Sequence, residues 1–162
     1  MTPSEMLTGA DLVETLAHRL TSSGWRMVTV ESCTGGAIGS LITDRAGSSD
    51  WYEGGWITYS NALKLQLGVP AEAIDRHGAV SEPVARAMAE QGRLRADVDI
   101  AVAVTGVAGP AGGSPDKPVG TVWIAWAWPG GVDAEVFHLD GDRTQVRTQA
   151  TLQALRGLQQ RL

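Results

Sequence analysis

With 162 residues, 43% of them hydrophobic and 19% charged, the chain has apolar material for one folded core, which excludes wholesale disorder and fibrous architectures. A formal charge of −5 with no run of lysine or arginine excludes general affinity for nucleic acid or anionic lipid, both of which rest on neutralising phosphates with clustered cations. The single cysteine, Cys33, can form neither an intramolecular disulfide nor, by itself, a structural zinc site.

The first periodic segment predicts a helix over 11–22, with Leu12, Val13, Leu16, Ala17 and Leu20 on one face and Gly24 as the stop. Met27-Val28-Thr29-Val30 reads as a buried strand, Glu31 to Gly36 as a tight turn, and Ile38, Leu41 and Ile42 as the inner face of a short helix. Residues 51–59 suit a second strand entered through Gly54-Gly55, after which Ser60-Asn61 caps a short helix carrying Lys64. Ser81-Glu82-Pro83 opens a further helix, with Ser81 as the capping residue and Val84, Met88 and Ala89 on its apolar face. Ile100 to Val104 predicts a central strand, residues 119–128 and 132–139 two more, and residues 142–162 a final helix that buries Val146, Ala150 and Leu155. Trp123 and Trp126 are placed on the sheet. Helices alternating with continuous apolar strands predict an α/β fold: a three-layer α/β/α sandwich with a mixed, mostly parallel central sheet whose late strands form an antiparallel hairpin. No linker divides the chain, so a single domain over 1–162 is expected. The lone cysteine, the lack of a basic n-region before an apolar stretch, and the absence of ~18 consecutive apolar residues lead to the expectation of a soluble cytoplasmic protein without a membrane partner.

Ligands of open α/β sheets bind at the carboxyl ends of the strands. Two glycine-bearing turns are predicted there, Glu31 to Gly36 and Thr105 to Gly113, and free amides at a helix start favour an anion. Neither turn is a nucleotide motif: Gly109 to Ser114 lacks the P-loop lysine, and Gly106, Gly109 and Gly112 lack the dinucleotide spacing. Ser32 is the prominent hydroxyl, on a strand-to-helix turn close to amides that could stabilise an oxyanion. Cys33 competes for the nucleophile's role as a thiol near a helix start, and its structural alternative is a small buried apolar residue. A serine needs a base. His18, His77 and His138 each have a structural explanation, while Lys64 becomes a base only if burial lowers its pKa, and on a solvated surface it would not serve.

The blocks Glu31-Ser32-Cys33-Thr34-Gly35-Gly36, Thr58-Tyr59-Ser60-Asn61 with Lys64, Gly78-Ala79-Val80-Ser81-Glu82, Thr105-Gly106-Val107-Ala108-Gly109-Pro110, Lys117-Pro118-Val119-Gly120-Thr121 and Gly141-Asp142-Arg143 resemble, in order and over nearly the whole chain, the CinA C-terminal domain family. The resemblance implies a stand-alone nicotinamide-nucleotide amidohydrolase that converts nicotinamide mononucleotide and water to nicotinate mononucleotide and ammonia, in pyridine-nucleotide salvage. It implies Ser32 as nucleophile, Lys64 as base and Tyr59 nearby as a possible relay, with no metal or cofactor. Cys33, Thr34, Gly35, Gly36, Thr105, Gly106 and Arg143 are the expected substrate-binding residues. Amides near Cys33 and Gly35, or from Gly106, are candidates for the oxyanion hole. The phosphate is expected on a glycine turn or against Arg143, unless Arg143 pairs with a carboxylate. Two alternatives remain: a nucleotide-sensing or competence-associated module with little turnover, and an amidohydrolase for another amide. Six tryptophans make a homo-oligomer a reasonable further expectation.

Overall fold

The computed structural model describes residues 1–162. Helix α1 spans Pro3–Ser23 and begins well before the apolar periodicity, because Thr2 and Glu5 form a reciprocal capping box around Pro3. The apolar face predicted from residue 12 onward is correct, with Val13, Leu16, Ala17 and Leu20 buried, but the exposed first turns are held by their cap rather than by the core. Strand β1 (Met27–Glu31) is buried throughout and runs through a turn into α2 (Ala37–Thr43). A short 3-10 turn at Ser48–Asp50 leads into β2 (Tyr52–Ile57).

Strand β2 stops two residues short of the predicted end, because its only partner, β1, ends at the Glu31–Ile57 rung. The Thr58 amide makes one more bond to the Glu31 carbonyl, at 2.9 Å, and the chain then turns into α3 (Asn61–Leu67). Ser60 caps α3 as predicted, accepting from the Leu63 amide at 3.1 Å. Helix α4 (Ala71–His77), absent from the sequence reading, follows Pro70 and buries no side chain fully, so it carries little apolar periodicity. Helix α5 (Glu82–Ala96) starts where predicted, but the Ser81 hydroxyl donates to the Gly78 carbonyl at 2.8 Å instead of capping it.

Strands β3 (Ile100–Gly106), β4 (Thr121–Trp128) and β5 (Gly131–His138) precede the last helix, α6 (Arg143–Gln160), which Asp142 and Gln145 cap reciprocally. Val119 and Gly120 fall outside β4: Gly120 has φ +94°, and its carbonyl accepts from Leu139 at 2.8 Å.

The sheet order is β2-β1-β3-β4-β5. The β2–β1 and β1–β3 pairs are parallel and the β3–β4 and β4–β5 pairs antiparallel, so β4 alone runs against the other strands. This is the predicted mixed α/β/α sandwich, with β3 at its centre and the late hairpin at one edge.

One core lies between the sheet and α1, α2 and α6, the other between the sheet and α5, with α3 and α4 on that second side. Side-chain alternation along β4 feeds both: Val122, Ile124 and Trp126 face the first, Trp123 and Ala125 the second. Trp126 is fully buried, donates its indole N–H to the Ala154 carbonyl at 3.0 Å and carries the Arg161 guanidinium 3.9 Å above its ring. No helix is long and apolar enough to cross a membrane.

The indole lies so close to Gly157 that a Cβ there would overlap it. Gly157→Ala gains ~1 kcal/mol of helix propensity, but overpacking of a filled core costs roughly 1–3 kcal/mol and outweighs it. The expected outcome is a lower urea midpoint with an unchanged m-value.

Candidate active site

From β1 the chain crosses to β2 on one side, then returns to β3 on the other. The connections diverge at the carboxyl ends of β1 and β3, which opens a crevice where a doubly wound sheet binds its ligands. A cleft of about 300 Å³ occupies this place. Ser32 enters it from the end of β1, Thr105 and Gly106 from the end of β3, and Lys64 and Asn61 from α3. The loop after β3 supplies Val107 to Gly109, Ala111 and Gly112, and Arg143 closes the mouth from the start of α6.

Ser32 is anchored by its amide, which donates to the Val104 carbonyl at 2.9 Å, so the turn that carries Ser32 continues the β1–β3 ladder. Its hydroxyl lies 3.0 Å from Lys64 Nζ. Lys64 is only 1% exposed, and its Nζ also donates to the Thr58 carbonyl at 2.8 Å and the Tyr59 carbonyl at 3.0 Å. No carboxylate pairs with it, and burial holds its pKa below the ordinary lysine value. Nζ donates to two carbonyl oxygens and to Ser32 Oγ, and the Ser32 hydroxyl donates toward the Tyr59 carbonyl at 3.5 Å; in the neutral amine the two carbonyls can take both N–H groups, which makes the lone pair available to the Ser32 hydroxyl.

Cys33 lines the same cleft at 5% exposure, and burial pushes its thiol up to about 11, so it stays protonated at neutral pH. Tyr59 meets the pair through its main chain. Its phenol is 58% exposed and accepts from Arg143 Nη2 at 3.1 Å, and the direct Lys64–Ser32 contact leaves no gap for a phenolic relay. Arg143 donates its other arm to the Gly109 carbonyl at 2.8 Å and forms no ion pair with a carboxylate. Thr105, 1% exposed, donates its hydroxyl to the Ala79 carbonyl at 2.9 Å, and its neighbour Gly106 continues the wall.

Thr34, Gly35 and Gly36 lie outside the cleft lining, contrary to expectation. Thr34 is fully buried, and Gly35 and Gly36, at φ +59° and +102°, allow the chain to double back. The Gly35 amide donates to the Ser32 carbonyl at 3.0 Å and is therefore not free for an oxyanion, whereas the Cys33 amide makes no hydrogen bond within the protein. The start of α2 is also closed to a ligand anion. The buried Glu31 carboxylate accepts from the amides of Gly36 (3.2 Å), Ile38 (2.9 Å) and Gly39 (3.0 Å).

Sequence reasoning missed Glu31 as this internal anion and Asn61, Ala79 and Val80 as cleft residues. The signal for Glu31 was a carboxylate just ahead of a glycine-started helix, and Asn61 was visible beside the Ser60 cap. Ala79 and Val80 had no chemical signal. The histidines stand apart from the cleft: His18 pairs with Glu14 at 3.1 Å, the His77 carbonyl accepts from Lys117, and His138 pairs with Thr121 in the hairpin.

Fold and site together define an α/β protein of the doubly wound kind with a buried lysine-paired serine at the switch point of its sheet. Residues 9–162 match the CinA C-terminal domain, and the chain belongs to that family. It is 48% identical over 164 residues to the nicotinamide-nucleotide amidohydrolase PncC of Escherichia coli K12, a match covering 99% of this chain and 96% of that protein. The PncC of Pseudomonas putida is 50% identical over 155 residues, covering 93% and 97%. A CinA-like protein of Akkermansia muciniphila is 47% identical over 152 residues, but this chain spans only 37% of its length. The crystal structure of a competence-damaged protein (CinA) superfamily protein from Escherichia coli superposes with a TM-score of 0.93 at 36% identity, covering 100% of this chain and 94% of that one.

The burial of Cys33 gives a direct check on the site. In the native protein at pH 8 iodoacetamide should modify the thiol slowly, and in denaturant, where its pKa returns to about 8.5, rapidly. Mass spectrometry of the Cys33 peptide with and without guanidinium chloride measures the contrast.

Proposed function

We propose that this chain, acting as one domain over 1–162, hydrolyses the carboxamide of nicotinamide mononucleotide to nicotinate mononucleotide and ammonia, in pyridine-nucleotide salvage. The observation that carries the reading is the 3.0 Å contact between Lys64 Nζ and Ser32 Oγ, buried, free of carboxylates and open to the cleft. The PncC relatives, named as nicotinamide-nucleotide amidohydrolases, support the choice of substrate.

An amide is a poor electrophile with a poor leaving group, so the reaction gains from an activated nucleophile, a stabilised oxyanion and a proton for the departing nitrogen. Neutral Lys64 takes the Ser32 proton as Oγ bonds to the carboxamide carbon. The oxyanion is received by the unpaired amide of Cys33, the residue following the nucleophile, with Gly106 on the opposite wall. Protonated Lys64 then returns its proton to the nitrogen, the C–N bond breaks and ammonia leaves. Water, deprotonated by the same amine, hydrolyses the ester, releasing the acid and restoring the Ser32 hydroxyl. No metal or cofactor takes part in these steps.

With the α2 start filled by Glu31, the phosphate is assigned to the other end of the cleft, against Arg143 and the loop after β3. The amides of Ala108 and Gly109 make no hydrogen bond within the protein, and Arg143 stands beside them. Tyr59 and Asn61 flank the entrance, and Thr105 lines the wall beside the nucleophile.

The first test is formation of ammonia and nicotinate mononucleotide in the presence of EDTA. Ser32→Ala and Lys64→Met should each lower kcat by at least ~10³-fold, as loss of a nucleophile or its base does elsewhere. Cys33→Ala should retain turnover. Binding of the nucleotide without turnover in the wild type would favour the sensing module instead. Because Lys64 acts as the neutral amine, kcat/KM should rise with pH through a pKa that burial has lowered from the ordinary lysine value, and level off above it. Arg143→Ala should raise KM by roughly 10-fold or more with a smaller change in kcat, the signature of lost phosphate binding.

A further inference from the structure

The turn that carries Ser32 is held from two sides by charged groups, and one of them lies 114 residues away in sequence. From the β1 side, Glu31 grips the amides at the start of α2. From α6, the Arg147 guanidinium donates Nε to the Cys33 carbonyl at 3.0 Å and Nη2 to the Thr34 carbonyl at 3.1 Å. Nε and Nη2 lie on one edge of the planar fork, so a single rigid group fixes two successive peptide planes.

Three features separate this arginine from one on an ordinary helix surface. It forms no ion pair with any carboxylate. The residues whose carbonyls it serves are 5% and 0% exposed, so without it the Cys33 carbonyl would lose its partner where water has little access, while the Thr34 carbonyl would keep only the Ala37 amide. The turn itself is intrinsically soft: Gly35 and Gly36 both sit at positive φ, and only two main-chain bonds close it before α2, from the Gly35 amide to the Ser32 carbonyl and from the Ala37 amide to the Thr34 carbonyl, each at 3.0 Å. Arg147 also approaches closely, since a Cβ on Gly35 would stand 3.4 Å from Nη2. The Cys33 carbonyl and the Thr34 amide belong to one peptide plane, so the grip also fixes the backbone immediately after the Cys33 amide assigned to the oxyanion.

We propose that Arg147 is a positioning residue for the nucleophile: by clamping the Cys33 and Thr34 carbonyls from α6, it keeps Ser32 Oγ on Lys64 and the Cys33 amide facing the cleft. Its place is outside the cleft lining, so it acts through the turn and touches no substrate. The inference depends on Ser32 being the reacting group, as set out above, and not on which amide is hydrolysed.

The experiment compares wild type, Arg147→Lys and Arg147→Ala in two assays: steady-state hydrolysis of nicotinamide mononucleotide, and covalent labelling of Ser32 by a fluorophosphonate probe read by mass spectrometry. Thermal unfolding of each variant is followed alongside. Displacement of a reacting group by about 1 Å costs up to ~10²-fold in rate, so kcat in Arg147→Lys should fall ~10–100-fold while KM changes less than about 3-fold and the protein remains folded. Labelling of Ser32 should slow in parallel. Ethylguanidinium should restore both activities of Arg147→Ala in a saturable way, which a purely structural role would not produce. Unchanged kcat and labelling in a folded variant overturn the proposal, as does a loss confined to KM or one without rescue. If the wild type labels at Ser32 but releases no ammonia, the substrate reading fails while the labelling comparison still decides the role of Arg147. If the wild type neither labels nor turns over, Ser32 is not an activated nucleophile and both readings fall.

Discussion

The site depends on a buried amine that has no counter-ion. Lys64 reaches into the end of the sheet with two carbonyls and a hydroxyl around its Nζ and no carboxylate. A charged ammonium in this position is hydrogen-bonded but desolvated with no opposite charge beside it, so burial shifts the balance toward the neutral form, which is the form with a lone pair to accept a proton. The neighbouring chain path follows from this requirement. Strand β2 ends at Ile57 instead of continuing through Tyr59, which frees the Thr58 and Tyr59 carbonyls for Lys64, and the cap at Ser60 then starts the helix that carries it.

The turn that carries Ser32 shows the same economy of backbone groups. A helix beginning at Ala37 presents unpaired amides next to Ser32, and in many α/β proteins such amides receive a ligand's phosphate. Here Glu31 supplies the anion from within the chain. The consequence is a difference between the two ends of the cleft: the β1 end is stiffened by Glu31, whereas the loop after β3 keeps unpaired amides beside Arg143, where the proposed reading seats the phosphate. The same Tyr59 serves both ends, its main chain holding Lys64 and its phenol meeting Arg143 at the mouth.

The sandwich supplies the rigidity these contacts need. Ser32 and Thr105 stand at the ends of adjacent parallel strands whose register is set by hydrogen bonds through the fully buried centre of the sheet. Helix α6 is held against that sheet by the Trp126 indole lying over Gly157, and it contributes both Arg143 and Arg147 to the neighbourhood of the cleft. Core packing far from the cleft therefore carries into the geometry of the turn that holds Ser32.

Much of this was legible in the chain itself. Continuous apolar runs at β1 and β3 marked the buried centre of the sheet, and helical spacing marked the inner faces of α1, α5 and α6, because burial imposes a period that composition records. Ser32 and Lys64 stood out as chemistry-bearing residues in motifs of a known family. What the chain could not display was anything set by distance across the fold. Helix α4 has no fully buried face and left no pattern. Thr34, Gly35 and Gly36 looked like ligand contacts because glycine turns serve both ligands and tight reversals, and only the packed structure shows that Glu31 already occupies the amides there. Cys33 and Ser32 are adjacent and residue type alone did not rank them; the family resemblance named Ser32, and burial separates a raised thiol from a hydroxyl touching an amine. The sequence by itself determined the layers, the strands and the candidate chemistry, since those follow from local periodicity and residue type. How the serine, amine and arginine meet was decided by tertiary structure, because a shifted pKa, a 3.0 Å side-chain contact and a clamp across 114 residues exist only once desolvation and geometry bring distant segments together.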